Sequence, residues 1–221
     1  MPSSPRPRIL SDALLALGLM TASPAVAATE ESQAWITESL TIRASDTDMV
    51  TLDMSQRFRR ARSDDEQALF RVGMDHRVAR GVLVGGGIAY AEGKKEEEMR
   101  LFQQVTLSEG IWLARTRLEQ RFFDNADRAS WRLRQRAQAS VPVDRERRWA
   151  VVGAVELFFH LNRARASDKS GLASMRHQVG LRHAVSKAMD VQLLYMRQQN
   201  FRDHRPDAVA HMPWLTLAWK M

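Results

Sequence analysis

The sequence contains no cysteine among its 221 residues, which excludes disulfide bonds, thiolate metal sites and cysteine nucleophiles. It also contains no apolar run of about eighteen residues or more, the length that a membrane-spanning helix requires. The mean hydropathy of −0.38 is too polar for a helical membrane protein. A disulfide-stabilised fold and a bundle of membrane helices are therefore both excluded.

The N-terminal residues have the pattern of a secretory signal peptide. Arg6 and Arg8 precede the apolar stretch ALLALGLM, and the segment AVA at 25–27 has the form of an A-x-A cleavage site. A basic start, an apolar stretch of about 7–15 residues and small residues at the cleavage site direct a chain to export. The pattern predicts a signal peptide over residues 1–27 and one mature domain over residues 28–221.

The charge balance is basic, with 33 lysines and arginines against 26 aspartates and glutamates and a net charge of +7. This balance brings an anionic partner into consideration. Nucleic acid is not the expected one, because export removes the protein from it and the sequence has neither a basic helix nor an aromatic stacking platform.

Beyond the N-terminal segment, apolar residues recur with a period of two rather than 3.6. In VTLDMSQRF, for example, Val50, Leu52 and Met54 alternate with polar residues. This alternation is typical of β-strands, and about eleven such segments can be counted. Each is close to the roughly 9–11 residues that cross a bilayer as a tilted strand. Because bacterial barrels have an even number of strands, the pattern predicts ten or twelve.

Two neighbouring segments alternate arginine with uncharged residues. In RTRLEQR, arginine or glutamate occupies every second position from Arg115 to Arg121, and Arg132, Arg134 and Arg136 repeat the pattern. On a helix these side chains would scatter around the circumference, whereas on a strand they form one row. In a soluble protein the apolar row would form the core. In a membrane barrel the apolar row faces lipid and the charged row faces the lumen.

Four observations favour the membrane barrel. One is the export signal, and another is an apparent alternation of short and long connections, in which EGKKEEE is one of the long ones. The last segment, WLTLAWKM, resembles a closing strand of an outer-membrane barrel. The tryptophans are predicted to form interfacial girdles: Trp35, Trp112, Trp131, Trp149, Trp214 and Trp219.

The segments MRLFQQVTL, RTRLEQRFFD, WRLRQRAQ and VELFFHLN together resemble an uncharacterised bacterial family, the domain of unknown function 2490. The resemblance covers nearly all of the chain from about Trp35 onward. It implies an exported outer-membrane β-barrel and brings no catalytic residues to carry over. The sequence thus predicts an all-β fold, a single antiparallel transmembrane β-barrel of about 10–12 strands, in the outer membrane of a Gram-negative bacterium.

The inward positions of such a barrel are rich in arginine. The lumen-lining candidates are Arg57, Arg71, Arg77, Arg100, Arg115, Arg117, Glu119, Arg121, Arg132, Arg134, Arg136 and Glu156. Arg176 and Arg182 are further inward arginines, with Asp53, Asp75 and Glu98 as counter-charges. Buried arginines need carboxylates, water or an anionic solute. Two interpretations follow: a lumen plugged by arginine–carboxylate pairs, and a narrow passage that favours anions.

A barrel-wall lipid hydrolase is the alternative function, with Ser140, Glu156 and His160 as the residues to consider. We expect no enzymatic activity and no cofactor. We also expect no metal site, because the other histidines show no metal-ligand spacing. The expected partners are the lipid bilayer and the outer-membrane assembly machinery, with lipopolysaccharide and small anionic solutes as candidates.

Overall fold

The computed structural model describes residues 29–59, 66–94, 96–165, 168–203 and 206–221. The predicted signal peptide, residues 1–27, lies outside them. All regular structure in the described residues is β-strand. No helix in this part of the chain has the length and hydropathy needed to cross a membrane.

Eleven strands of 12–15 residues follow one another along the described chain. They are β1 (Thr29–Arg43), β2 (Asp48–Arg59), β3 (Gln67–Ala79), β4 (Val82–Gly93), β5 (Glu96–Glu109), β6 (Trp112–Phe123), β7 (Ser130–Pro142), β8 (Trp149–His160), β9 (Gly171–Ala184), β10 (Met189–Asn200) and β11 (Ala208–Lys220).

The strands form one closed barrel in sequence order, each paired antiparallel with the next. The closing pair is different: β1 and β11 run parallel, in register from Thr29 opposite Ala208 to Thr41 opposite Lys220. The predicted all-β barrel is confirmed. The prediction of ten or twelve strands is wrong, because it assumed antiparallel closure, and a parallel closing pair allows the odd number.

The barrel has two ends, which differ in their connections. We call the end that carries the β1–β2, β3–β4, β5–β6, β7–β8 and β9–β10 connections the turn end, and the opposite end the loop end. With eleven strands and a parallel closing pair, β1 begins at the loop end and β11 finishes at the turn end.

The predicted sorting of connection lengths is only partly correct. The predicted long connection EGKKEEE is two residues, 94–95, because Gly93 still belongs to β4 and Glu96 already belongs to β5. The β7–β8 connection, residues 143–148, is as long as the β6–β7 connection, residues 124–129. The longest connection, residues 161–170, does lie at the loop end.

The barrel is apolar outside and charged inside. In β3, Phe70, Val72 and Met74 point outward and are about half exposed. The alternate residues Arg71 and Asp75 point inward, where Arg71 lies beside Asp53 of β2. The structure therefore buries charge and exposes apolar side chains, the reverse of a soluble sheet that packs its apolar face into a core.

Candidate functional site

The interior surface of the barrel is the candidate site. The strand register places all of the lumen-lining candidates on this inner face: Arg57, Arg71, Arg77, Arg100, Arg115, Arg117, Glu119, Arg121, Arg132, Arg134, Arg136 and Glu156. Arg77 is exposed at the turn end and lies apart from the charged clusters described below. Arg176 and Arg182 of β9 are also on the inner face.

Adjacent strands place arginines directly opposite one another. Arg100 pairs with Arg121 across β5 and β6, and Arg115 and Arg117 of β6 pair with Arg136 and Arg134 of β7. Like charges directly opposite one another destabilise a sheet. The interior therefore depends on a few carboxylates that lie between these rows.

Glu119 of β6 is the first of these carboxylates, and its side chain is 2% exposed. Arg132 donates from Nε to its Oε2 over 2.6 Å, and Arg134 donates from Nη1 to its Oε1 over 2.7 Å. Arg117 lies further away, with Nη1 3.9 Å from Oε1. Three guanidiniums thus surround one carboxylate.

Glu156 of β8 is the second, and it is equally buried. Arg134 donates from Nη2 to its Oε1 over 2.7 Å, so this arginine bridges Glu119 and Glu156. Arg115 donates to the same oxygen over 3.4 Å. Two other arginines approach its Oε2, Arg136 at 3.9 Å and Arg176 at 3.8 Å. Glu156 is therefore the counter-charge of four arginines.

Glu98 of β5 holds a third, smaller cluster nearer the loop end. Arg100 binds it in a bidentate pair, in which Nε donates to Oε1 over 2.6 Å and Nη2 donates to Oε2 over 2.5 Å. Arg121 also donates from Nε to Oε1. Bidentate arginine–carboxylate pairs of this kind are among the stronger ion pairs in proteins.

Glutamine side chains accept hydrogen bonds from arginines that the carboxylates do not fully satisfy. Gln104 accepts from Arg117 over 2.6 Å and in turn donates to Asp75. Gln178 accepts from Arg136 over 2.8 Å. Sequence reasoning missed these glutamines because they are uncharged, although their inward parity in the strands was available as a signal.

Aromatic rings also hold guanidiniums inside the barrel. The guanidinium of Arg117 lies 4.3 Å from the ring centre of Phe102, and those of Arg134 and Arg176 lie 4.9 and 4.6 Å from that of Phe158. Such cation–π contacts stabilise a desolvated cation without neutralising it. The net positive charge of the interior therefore persists.

Two of the six tryptophans contradict the prediction of interfacial girdles. Trp35 and Trp214 point into the barrel, where their rings meet edge to face at a centroid distance of 5.7 Å. They pack with Met196 and Met212 in a small buried cluster, and Trp214 donates to the hydroxyl of Thr37 over 2.9 Å. The alternation of charged residues in the sequence did not predict that this part of the interior is apolar.

The other four tryptophans lie near strand ends on the outer face. Trp112 and Trp149 begin β6 and β8 at the turn end and are 61% and 43% exposed. Trp219 is near the end of β11, also at the turn end, and Trp131 is the second residue of β7, at the loop end. Their positions match the pattern that the sequence suggested for interfacial aromatics.

A basic cavity opens at the loop end, and we call it the vestibule. Its larger part has a volume of about 480 Å³ and is lined by residues including Trp35, Arg57, Arg59, Arg176 and Arg202. A second part of about 410 Å³ adds Arg121 and Arg132 and shares Arg176, Gln198, Asn200 and Arg202 with the first. Both volumes are within the usual range for small-molecule sites, about 300–1,000 Å³.

The middle of the barrel is filled. Met196 has no exposed surface there, and Phe102, Arg117, Glu119 and Glu156 are each 4% exposed or less. Solvent entering the vestibule therefore meets a layer of packed side chains and ion pairs.

The residues of the hydrolase alternative are not brought together. His160 is at the loop end of β8, where its Nδ1 lies 3.1 Å from the carbonyl oxygen of Lys169. Ser140 pairs with Val152, eight residues before His160 on β8, so roughly 26 Å separate the two at about 3.3 Å per residue. Glu156 is surrounded by arginines. A nucleophile and base must be within hydrogen-bond reach, which this arrangement does not provide.

No group of three or more histidines, aspartates and glutamates in the described part of the chain has a geometry that could hold a metal ion.

The comparisons with known proteins show the family of the chain. A family model described as "Protein of unknown function (DUF2490)" matches residues 32–209, which confirms the resemblance inferred from the sequence. No curated protein matches the chain. Solved structures do, among them one described as "Unveiling the Mechanism Behind the in-meso Crystallization of Membrane Proteins", with a TM-score of 0.44 and 10% identity over 81% of this chain and 80% of that one.

Proposed function

The chain belongs to the family of proteins of unknown function DUF2490, and on the basis of its barrel geometry we propose that it is an exported, membrane-spanning barrel of a bacterial outer membrane. We further propose that its interior favours anions and is closed at mid-height by the arginine–glutamate network in the resting state. The observation that carries the proposal is the inverted barrel, with apolar side chains outside and buried charges inside.

The outer face supports the membrane assignment. Outward side chains such as Val72, Ile88 and Leu193 are 45%, 49% and 57% exposed, and they belong to a surface that is apolar around most of the barrel. Monomeric soluble proteins rarely expose continuous apolar patches above a few hundred Å². A closed barrel also leaves no unpaired strand edge in the hydrocarbon region, where unsatisfied backbone groups would be costly.

The interior supports anion preference and the closed state together. Each central carboxylate is shared by several guanidiniums, so positive charge remains after pairing. A positively lined constriction attracts anions and repels cations. The same ion pairs fill the cross-section, so a permanently open pore of porin width does not fit this structure.

Conductance in a planar lipid bilayer tests this function. We expect the protein to give only small currents, and the reversal potential in a KCl gradient to show chloride preference. Arg115→Gln should reduce that preference, because Arg115 is an inward arginine whose contact with Glu156 is long, at 3.4 Å. Glu38→Gln is the matched control, since Glu38 points outward, and it should leave selectivity unchanged.

Cation preference of the wild-type protein would contradict the anion-favouring interior. Large, permanently open currents would contradict the closed middle. A protein that never associates with the bilayer would contradict the membrane assignment itself.

A further inference from the structure

Arg57 of β2 is a vestibule arginine that lacks a counter-charge among the described residues. Its Nη1 donates to the side-chain oxygen of Gln67 over 2.6 Å, while its Nε is buried and has no hydrogen-bond partner. Among the described residues no carboxylate forms an ion pair with it. A buried guanidinium without a counter-charge is costly, so this position is suited to receive an anion.

Arg176 of β9 reaches the same place from another side of the barrel. The guanidiniums of Arg57 and Arg176 lie 4.1 and 5.1 Å from the ring centre of Trp35, so two cations share one indole. The nearest carboxylate oxygen to Arg176, Oε2 of Glu156, is 3.8 Å away. Its Nε is oriented by a 2.6 Å hydrogen bond to Gln198.

The remaining lining of the cavity combines polar and apolar groups. Arg202 adds a third cation from the connection after β10, and Asn200 accepts a hydrogen bond from Gln198 over 2.7 Å. The carboxylates of the larger part, Glu30 and Glu31, are contributed by the first residues of β1, and Glu31 lies 3.9 Å from Arg59. Partly exposed apolar surface comes from Ala208 and, in the second part of the vestibule, from Phe201.

We propose that the vestibule is a binding site for a phosphorylated small organic molecule, an inference that rests on the proposed function of an anion-favouring barrel. The phosphate group lies between Arg57, Arg176 and Arg202, and the organic part lies against Ala208 and Phe201. A phosphate monoester carries about −1.5 to −2 charges at neutral pH and three acceptor oxygens. It therefore matches three guanidiniums better than a single carboxylate does. The cavity of about 480 Å³ leaves room for an organic part beside the phosphate.

Calorimetric titration of the folded, detergent-solubilised protein tests the site, with phenyl phosphate as the probe and inorganic phosphate and phenol as its two halves. We expect phenyl phosphate to bind more tightly than inorganic phosphate, and phenol to show no saturable binding. Arg57→Gln and Arg176→Gln should each weaken phenyl phosphate binding by about 10- to 100-fold, the range for losing a charge-assisted hydrogen bond. Binding should also weaken as salt is raised.

Arg77→Gln is the matched control, because Arg77 is an inward arginine at the opposite, turn end of the barrel, and it should change the affinity by less than about twofold. If Arg57→Gln does not fold, Arg57→Lys replaces it as the test variant. It keeps the positive charge but loses the planar guanidinium with its several N–H donors, so it should bind phenyl phosphate more weakly than the wild type does.

Equal affinity of the wild type and the Arg57 and Arg176 variants would overturn the site, as would the absence of saturable phenyl phosphate binding. This result is distinguishable from failure of the proposed function. A protein that inserts into lipid vesicles but does not bind phenyl phosphate contradicts only the site. A protein that binds phenyl phosphate in detergent but does not insert into vesicles supports the site and contradicts the membrane assignment.

Discussion

Replacing Glu156 with alanine is expected to lower the free energy of unfolding by about 3–5 kcal/mol, the usual cost of removing one partner of a buried ion pair. The reason is the number of arginines that depend on it. Arg134 and Arg115 donate hydrogen bonds to it, and Arg136 and Arg176 lie within 4 Å. Without the carboxylate these guanidiniums repel one another in a region that is largely shielded from solvent. Urea unfolding of the protein from lipid vesicles measures the change.

Glu146→Ala is the control for this variant, because it makes the same substitution at an exposed position in the β7–β8 connection, outside the strands. We expect it to change the free energy of unfolding by less than about 0.5 kcal/mol, as at most surface positions. Arg134→Gln should lie between the two, since Glu119 and Glu156 each retain other arginines. Equal effects of Glu156→Ala and Glu146→Ala would show that the network does not stabilise the barrel.

The second large effect is expected on the outer face. Val72→Arg places a charge near the middle of β3, among exposed apolar side chains. If this face contacts lipid, the substitution should cost about 2–4 kcal/mol, the value for arginine at the bilayer midplane of a barrel. In water, an arginine at the same position would be nearly neutral or favourable, because it would replace exposed apolar surface.

Val143→Arg is the matched control for this measurement. Val143 is 60% exposed, more than Val72 at 45%, but it lies in the β7–β8 connection, outside the strands. Its substitution should have little effect on the free energy of unfolding in vesicles. If Val72→Arg and Val143→Arg changed the free energy of unfolding in vesicles by the same small amount, the outer face would not be in hydrocarbon.

The alternation of residues was enough to predict the barrel and its inner face, because parity in a strand assigns every second residue to the same side. Arg115, Glu119 and Arg132 could therefore be placed together from the sequence. Parity could not predict the number of strands, nor whether the first and last strands pair parallel or antiparallel. The parallel pairing of β1 with β11 depends on contacts between residues far apart in the chain.

The misplaced tryptophans have a related cause. The sequence suggested the membrane interface for every tryptophan, whereas Trp35 and Trp214 share the parity of Thr37 and Met212 and point inward. Their parity was visible, but the assumption that the whole interior is polar concealed it. Similarly, the charges of EGKKEEE suggested a long connection, although Gly93 still belongs to β4 and Glu96 already belongs to β5.

The vestibule could not be predicted for a different reason. Arg57 and Arg176 belong to β2 and β9, and they meet over Trp35 of β1 only because the barrel closes between β11 and β1. Each residue alone looks like any other inward arginine. Only the three-dimensional arrangement shows which arginines lack a nearby carboxylate.

The orientation of the outer face in lipid can be measured directly, because the absence of cysteine allows a single spin label to be attached through Ile88→Cys in the middle of β4. In reconstituted vesicles, we expect this label to be more accessible to oxygen, which partitions into hydrocarbon, than to a water-soluble nickel chelate. A label that the nickel chelate reaches as readily as one on the exposed β7–β8 connection would contradict a barrel whose apolar face lies in the membrane.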